Sequence, residues 1–288
     1  MTAQGRGTAG LSRDRYQVVG NPIAQSKSPL IHRLFADQTH QQLDYGRACP
    51  AEGHFAEEAR RFFAAGGLGM NVTAPFKLDA FKFAHALTPR AEFAGAVNTL
   101  KLSENGDILG DNTDGFGLVY DLSKRLGWRL AGARILVLGA GGAVRGVLQP
   151  LLAAQPAQLV VANRTLARAQ ALVPIFNPVG PLSVCEFSAL SLQEFDIIIN
   201  GTSAGLQGEL PPLPRGQLGS NCLCYDMIYS AKPTAFQVWA RAEGAAHAED
   251  GLGMLVAQAA ESFRWWRGVV PDIEPVLTHM REHLRTGA

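Results

Sequence analysis

Short apolar runs that stop abruptly at glycine, proline or polar corners alternate along this chain with stretches of helical periodicity. Residues 134–146 show the pattern most sharply. Ile135 to Leu138 are four consecutive apolar residues, the pattern of a strand buried on both faces, and the glycines at 139, 141 and 142 forbid its continuation. From Ala143 to Gln149 apolar residues recur at helical spacing. The glycines therefore sit where a strand turns into a helix N-terminus, with unpaired backbone N–H groups and the positive end of the helix dipole directed at one spot. Such a spot holds anions.

The same strand–helix alternation runs through the rest of the chain. In the first half the pattern predicts strands at 16–20, 43–48 and 68–72, and helices at 30–38, 54–64 and 77–85. Ser28 reads as the N-cap of the first helix with Pro29 at its first helical position, which leaves Ser26 without a structural reason. Phe55, Ala59, Phe62 and Phe63 form the inward face of the second helix. A hairpin follows, with strands at 96–102 and 107–110 around Glu104-Asn105-Gly106, then a polar loop from Asp111 opening a helix through Arg125. In the second half strands are predicted at 158–162, 195–200 and 223–228, with a short one at 245–248. Helices are predicted at 234–243, 254–267 and 273–285, a surface loop at 211–214, and a flexible joint at Asp250 to Gly253. The repeated strand–helix order implies an α/β fold with parallel sheets, in which ligands bind beyond the C-terminal strand ends. Asn71, Thr73 and Lys77 lie at one such end, and polar residues recur at others, at Asn98 and Asp114.

Composition narrows the function classes. With 288 residues, 47% hydrophobic and 18% charged, the chain has the makings of two domains. A net charge of +1 provides no global field for nucleic acid or an anionic membrane, so neither is expected as a partner. Residues 1–14 carry basic residues but no apolar core of a signal sequence, and are read as a mobile leader; a cytoplasmic protein is expected. The four cysteines lack metal-ligand spacing, and Cys222 and Cys224 alternate along a strand as small hydrophobes. His279 and His283 form an i, i+4 pair without a third ligand, so no metal is expected.

The glycine bend acquires meaning from the next unit. Asn163-Arg164-Thr165 stands at the end of the 158–162 strand, where dinucleotide folds read the adenosine ribose, and the usual acidic residue is absent. A carboxylate there would repel a 2′-phosphate, whereas Asn163, Arg164 and Arg168, one helical turn later, would hold it. NADP(H) is expected over NAD(H).

Taken together, Ser26-Lys27-Ser28-Pro29, Asn71-Val72-Thr73-Ala74-Pro75-Phe76-Lys77, Ala96-Val97-Asn98-Thr99 and Gly110 to Gly115 spell a family. With Gly139-Ala140-Gly141-Gly142-Ala143, Asn163-Arg164-Thr165, Asp226-Met227-Ile228-Tyr229 and Gly251 to Gln258, they closely resemble the shikimate dehydrogenases, in order from about Tyr16 to Pro271. The resemblance implies two domains: a substrate-binding and catalytic one from residues 15–113 plus 251–288, and a Rossmann-like, doubly wound NADP-binding one from 114–250. It also implies reversible reduction of 3-dehydroshikimate to shikimate, within aromatic amino-acid and chorismate biosynthesis. Carried over, Ser26 and Ser28 bind the substrate carboxylate; Thr73, Asn98 and Gln258 bind hydroxyls with Lys77 and Asp114; Tyr229 lies nearby. Met227 and Gly251 line the nicotinamide, and residues 139–143 hold the pyrophosphate.

Hydride delivered to a ketone creates negative charge on its oxygen, and a positioned proton donor lowers that barrier. Lys77 is assigned as the proton shuttle, with Asp114 orienting its ammonium. Two alternatives stand beside this reading: a quinate/shikimate dehydrogenase preferring NAD, and a non-catalytic metabolite-sensing module of the same fold. Ser28 and Arg164 speak against the first, and an intact Lys77/Asp114 pair against the second. A monomer or homodimer is expected.

Overall fold

The computed structural model describes residues 13–190, 193–207, 209–213 and 216–287. Residues 1–12 of the expected leader and residue 214 of the expected surface loop lie outside the described residues. Asp14, expected in that leader, opens the first strand.

Two six-stranded sheets organise the chain. The first half builds β1 (Asp14–Val19), α1 (Ser28–Gln38), β2 (Leu43–Ala48), α2 (Phe55–Ala64), β3 (Gly67–Val72), α3 (Lys77–Phe83), β4 (Ala86–Leu87), α4 (Pro89–Ala94), β5 (Thr99–Leu102) and β6 (Ile108–Asp111). Its sheet has the order β2-β1-β3-β5-β6-β4. β1, β2 and β3 pair in parallel as the strand–helix order implies, and the two-residue β4 runs parallel to β6. The tight turn of the 104–106 hairpin forces β5 and β6 to pair antiparallel, and β5 joins β3 in the same sense, so this sheet is mixed.

The chain then enters α5 (Asp114–Tyr120), which widens into a π-helical turn over Asp121–Arg125. The second half builds β7 (Arg134–Leu138), α6 (Gly142–Ala153), β8 (Gln158–Ala162), α7 (Leu166–Gln170), α8 (Val173–Phe176), β9 (Leu182–Cys185), β10 (Phe195–Asn200), β11 (Leu218–Asp226), α9 (Ala235–Ala242) and β12 (His247–Glu249). All of these strands pair in parallel, in the order β12-β11-β10-β7-β8-β9. Ile135, Val137, Leu136 and Leu138 of β7 are fully buried, the odd residues packing against Val144, Val147 and Leu151 of α6, the even ones against Ile198, Cys222 and Cys224. This two-sided burial is what the apolar run required.

Finally α10 (Leu252–Arg267) and α11 (Ile273–Thr286) return to α1, burying Ile31, Phe35, Val256, Phe263 and Met280 in a core of their own. The expected flexible joint at 250–253 is instead buried: Asp250 pairs with Arg281 at 2.6 Å, and the helix already begins at Leu252. A Cβ on Gly251 would lie 2.3 Å from the Met227 carbonyl oxygen, so this glycine serves close backbone contact rather than bending. Among the described residues no helix is long and apolar enough to cross a membrane.

Candidate active site

Lys77 is the first residue of α3 and Asp114 the first of α5, so each projects from a helix start beside the C-terminal ends of β3 and β6. Lys77 Nζ donates to Asp114 Oδ2 at 2.5 Å, with side-chain exposures of 17% and 9%. The pair is thus largely shielded yet open on one side, which strengthens its charge-assisted bond over that of a surface pair. Asn98 fixes the carboxylate from behind, its Nδ2 donating to Asp114 Oδ1 at 2.9 Å. Gln258 of α10 completes the cluster, with Oε1 3.2 Å from Asn98 Nδ2. Four residues expected at the site, from four separate elements or their edges, therefore meet.

The Ser26/Ser28 pair is also local: the Ser26 hydroxyl donates to Ser28 Oγ at 3.3 Å. The expected N-cap role of Ser28 is not what α1 uses. Lys27 is the N-cap, without a side-chain cap bond, and Ser28 stands inside the first turn with Ser26 Oγ accepting from its N–H. Arg47 Nη2 donates to the Ser26 carbonyl at 2.7 Å and holds the loop against β2. Thr73 follows β3 directly and is half-buried, its N–H donating to Val19 O at 2.9 Å. Tyr229 is half-buried against the α1/α10 core. Neither Thr73 nor Tyr229 hydrogen-bonds the Lys77–Asp114 pair.

Sequence reasoning missed the layer that supports this cluster. Asn71, noted as a residue at a strand end, is buried: it accepts from Tyr45 Oη at 2.6 Å and His32 Nε2 at 3.1 Å, and donates to Thr99 Oγ1 and to Ser262 Oγ. Thr99 and Thr113 both contact Ser262 Oγ, at 2.8 and 3.1 Å, and Thr113 N–H donates to Asn98 Oδ1 at 2.9 Å. A continuous polar layer thus runs from β2 to Asp114. One signal was available: Ser262 follows Gln258 by four residues and shares its helix face. His32 is fully buried, stacked on Tyr45 with centroids 4.4 Å apart, and its Nδ1 has no partner. Burial holds its pKa down at about 3, opposed by the bond to Asn71, so the ring is neutral.

Across from this cluster lies the glycine bend. Gly139 has φ +101°, a conformation that L side chains rarely adopt, and its N–H donates to Ala162 O as the chain leaves β7. A Cβ on Gly141 or Gly142 would meet nothing within 4 Å. The space above the α6 N-terminus is therefore open, as a pyrophosphate needs, and Ala140 and Ala143 flank it. At the end of β8, Asn163 Nδ2 donates to Thr165 O at 2.8 Å, and Arg164, Thr165 and Arg168 line the surface there. Neither arginine pairs with a carboxylate among the described residues. Met227 lies between Gly201 and Gly251: a hypothetical Cβ on the first would come 3.1 Å from its sulfur, and one on the second 2.3 Å from its carbonyl oxygen. The bend and the acid–base pair are joined through α6, where a Cβ on Gly146 would lie 3.3 Å from Asp114 Cβ.

A polar cluster at the strand ends of a mixed sheet, set against a parallel, glycine-bent one, defines a two-domain α/β protein of the Rossmann-like class. Family models agree: the shikimate dehydrogenase substrate binding domain matches residues 18–100, the shikimate/quinate 5-dehydrogenase domain residues 121–207, and the shikimate 5′-dehydrogenase C-terminal domain residues 251–281. The chain is 56% identical over 271 residues to the shikimate dehydrogenase (NADP(+)) of Cellvibrio japonicus, covering 94% of this chain and 98% of that one. It is 58% identical over 269 residues to the protein of the same name from Alkalilimnicola ehrlichii, covering 93% and 98%. The crystal structure of shikimate 5-dehydrogenase from Thermus thermophilus in complex with NADP(H) and shikimate superposes with a TM-score of 0.84 at 31% identity, covering 94% of this chain and 100% of that one. This chain belongs to the shikimate dehydrogenase family.

Proposed function

We propose that this protein interconverts 3-dehydroshikimate and shikimate with NADP(H), in the cytoplasm, as a monomer or homodimer. The observation that carries the reading is the 2.5 Å Lys77–Asp114 contact, backed by Asn98 and set one α6 turn from an open glycine bend. Residues 15–113 with 251–288 form the substrate side and 114–250 the nucleotide side. The donor set fits NADP(H): Gly139 to Ala143 for the pyrophosphate, Asn163, Arg164, Thr165 and Arg168 for the 2′-phosphate end, Met227 and Gly251 for the nicotinamide. When bound, NADPH supplies the hydride.

Everything else falls to the chain's own side chains. Ser26 and Ser28, at the N-terminal turn of α1, receive the substrate carboxylate, and Thr73, Asn98 and Gln258 hold its hydroxyls, with Tyr229 beside them. Lys77 Nζ gives its proton to the carbonyl oxygen during reduction and recovers one from the hydroxyl during oxidation. Asp114 keeps the ammonium aimed, and Asn98 keeps Asp114 from turning toward solvent. Initial rates with shikimate and quinate, each with NADP⁺ and NAD⁺, test the reading: the shikimate/NADP⁺ combination is expected to dominate. Equal rates with NAD⁺, or none with shikimate, overturn it.

A further inference from the structure

Asp226, the last residue of β11, has no solvent exposure. Its carboxylate accepts three hydrogen bonds, all from neutral donors: Asn200 Nδ2 at 3.1 Å, the Ile228 N–H at 3.1 Å and Thr234 Oγ1 at 2.6 Å. Among the described residues no lysine, arginine or histidine pairs with it. Every other fully buried carboxylate behaves differently: Asp111 is held by Arg90 and Asp121 by Arg125. Asp250, also buried, is paired with Arg281. Burying a carboxylate without a cation is expensive, and neutral hydrogen bonds recover only part of the loss. Its burial pushes the Asp226 pKa up, as does the charge of Asp250.

The position of this charge gives it a use. Asp226 is joined through the backbone to Met227, whose sulfur and carbonyl face Gly201 and Gly251 at the mouth of the nucleotide sheet. Asn200, its partner, also accepts from the Thr202 N–H and hydroxyl, so the carboxylate anchors both strand ends that frame this mouth. Resting on the reading above, in which the nicotinamide lies against Met227 and Gly251, we infer that Asp226 is an electrostatic tuning residue. Its uncompensated negative charge stabilises the cationic, oxidised nicotinamide over the neutral, reduced one. A missing cation partner in the protein is then explained, since the oxidised cofactor ring supplies the positive charge.

The ratio of two dissociation constants tests this, with NADP⁺ and NADPH titrated separately into the purified full chain without substrate. The 2′-phosphate and pyrophosphate contacts are common to both forms and cancel in the ratio. Asp226→Asn preserves shape and the two bonds accepted at Oδ1, with the Thr234 hydroxyl turning to accept from the new amide, and is expected to weaken NADP⁺ about tenfold more than NADPH through loss of the charge. Asp226→Glu, which keeps the charge, is expected to retain the wild-type ratio even where both constants rise. If Asp226→Asn does not fold, Asp226→Ser removes the charge while leaving a hydroxyl for Asn200 and Thr234. Equal weakening of both forms in the neutral variants makes Asp226 a structural residue only and overturns the inference. Failure of the proposed activity looks different, as absence of NADP(H) binding or of shikimate oxidation in the wild type.

Discussion

Lys77 and Asp114 stand 37 residues apart in sequence and 2.5 Å apart in space, each at the first position of its helix. The contact joins α3 of the first sheet to the helix that leads away from it. Positioned acid–base groups contribute roughly 10²–10⁴-fold to turnover. Lys77→Ala is therefore expected to lower kcat by about that range and to change KM for shikimate far less. Steady-state kinetics at saturating NADP⁺ checks this, and near-normal kcat would remove Lys77 from the proton path.

Arg164 offers an exposed guanidinium at the end of β8, with no carboxylate partner among the described residues. A charge-assisted phosphate contact contributes about 1.5–3 kcal/mol, so Arg164→Ala is expected to raise KM for NADP⁺ about tenfold or more. KM for NAD⁺, which has no 2′-phosphate, should hardly move. Equal changes for both cofactors would place Arg164 outside the adenosine pocket.

His32 makes stability depend on pH in a stated direction. Its pKa is about 3 in the folded protein and 6.5 in an unfolded chain, so between these values only the unfolded state takes up the proton. The contribution is full above pH 6.5 and is lost as pH falls toward 3, with a slope of up to about 1.4 kcal/mol per pH unit. Urea unfolding at pH 7 and pH 5 should show the wild type losing about 2 kcal/mol more than His32→Gln. Parallel losses in the two proteins would mean that His32 titrates normally.

Gly251 has no room for a methyl group, since its Cβ would press on the Met227 carbonyl, a backbone atom that cannot swing aside. Gly251→Ala is expected to cost about 1–3 kcal/mol by overpacking. Displacement of Met227 should also raise KM for NADPH. A variant with wild-type melting temperature and wild-type KM would show that the β11 end yields freely.

The second sheet was the more legible part of the molecule because parallel strands buried on both faces leave uninterrupted apolar runs: 134–138, 158–162 and 195–200 match their strands. The segment between Arg168 and Cys185 gave no such signal, since α7 and α8 are only five and four residues long and rest on tertiary packing of Ala169, Leu172 and Phe176. In the first sheet the turn at 104–106 was readable, whereas the antiparallel entry of β5 was not, because it depends on which strand edge was free. Lys77, Asp114, Asn98 and Gln258 were found through family motifs, and their meeting follows the strand-end rule. The layer behind them escaped because Tyr45, His32, Asn71, Thr99 and Ser262 are spread over five elements, and each has an ordinary structural explanation alone.

The chain passes between the two sheets only through α5 and, on its return, α10, and these helices pack along one another. The seam is wider than these two helices, since α6 of the second sheet packs on α5 and on α4, with Arg145 Nε donating to Ala94 O at 2.9 Å. Lys77, Asn98, Asp114 and Gln258 all belong to the loops and helix starts of the first sheet or to α5 and α10, so their mutual bonds draw on no strand or helix of the second sheet. The cluster is in this way complete without any contribution from the sheet that carries the glycine bend.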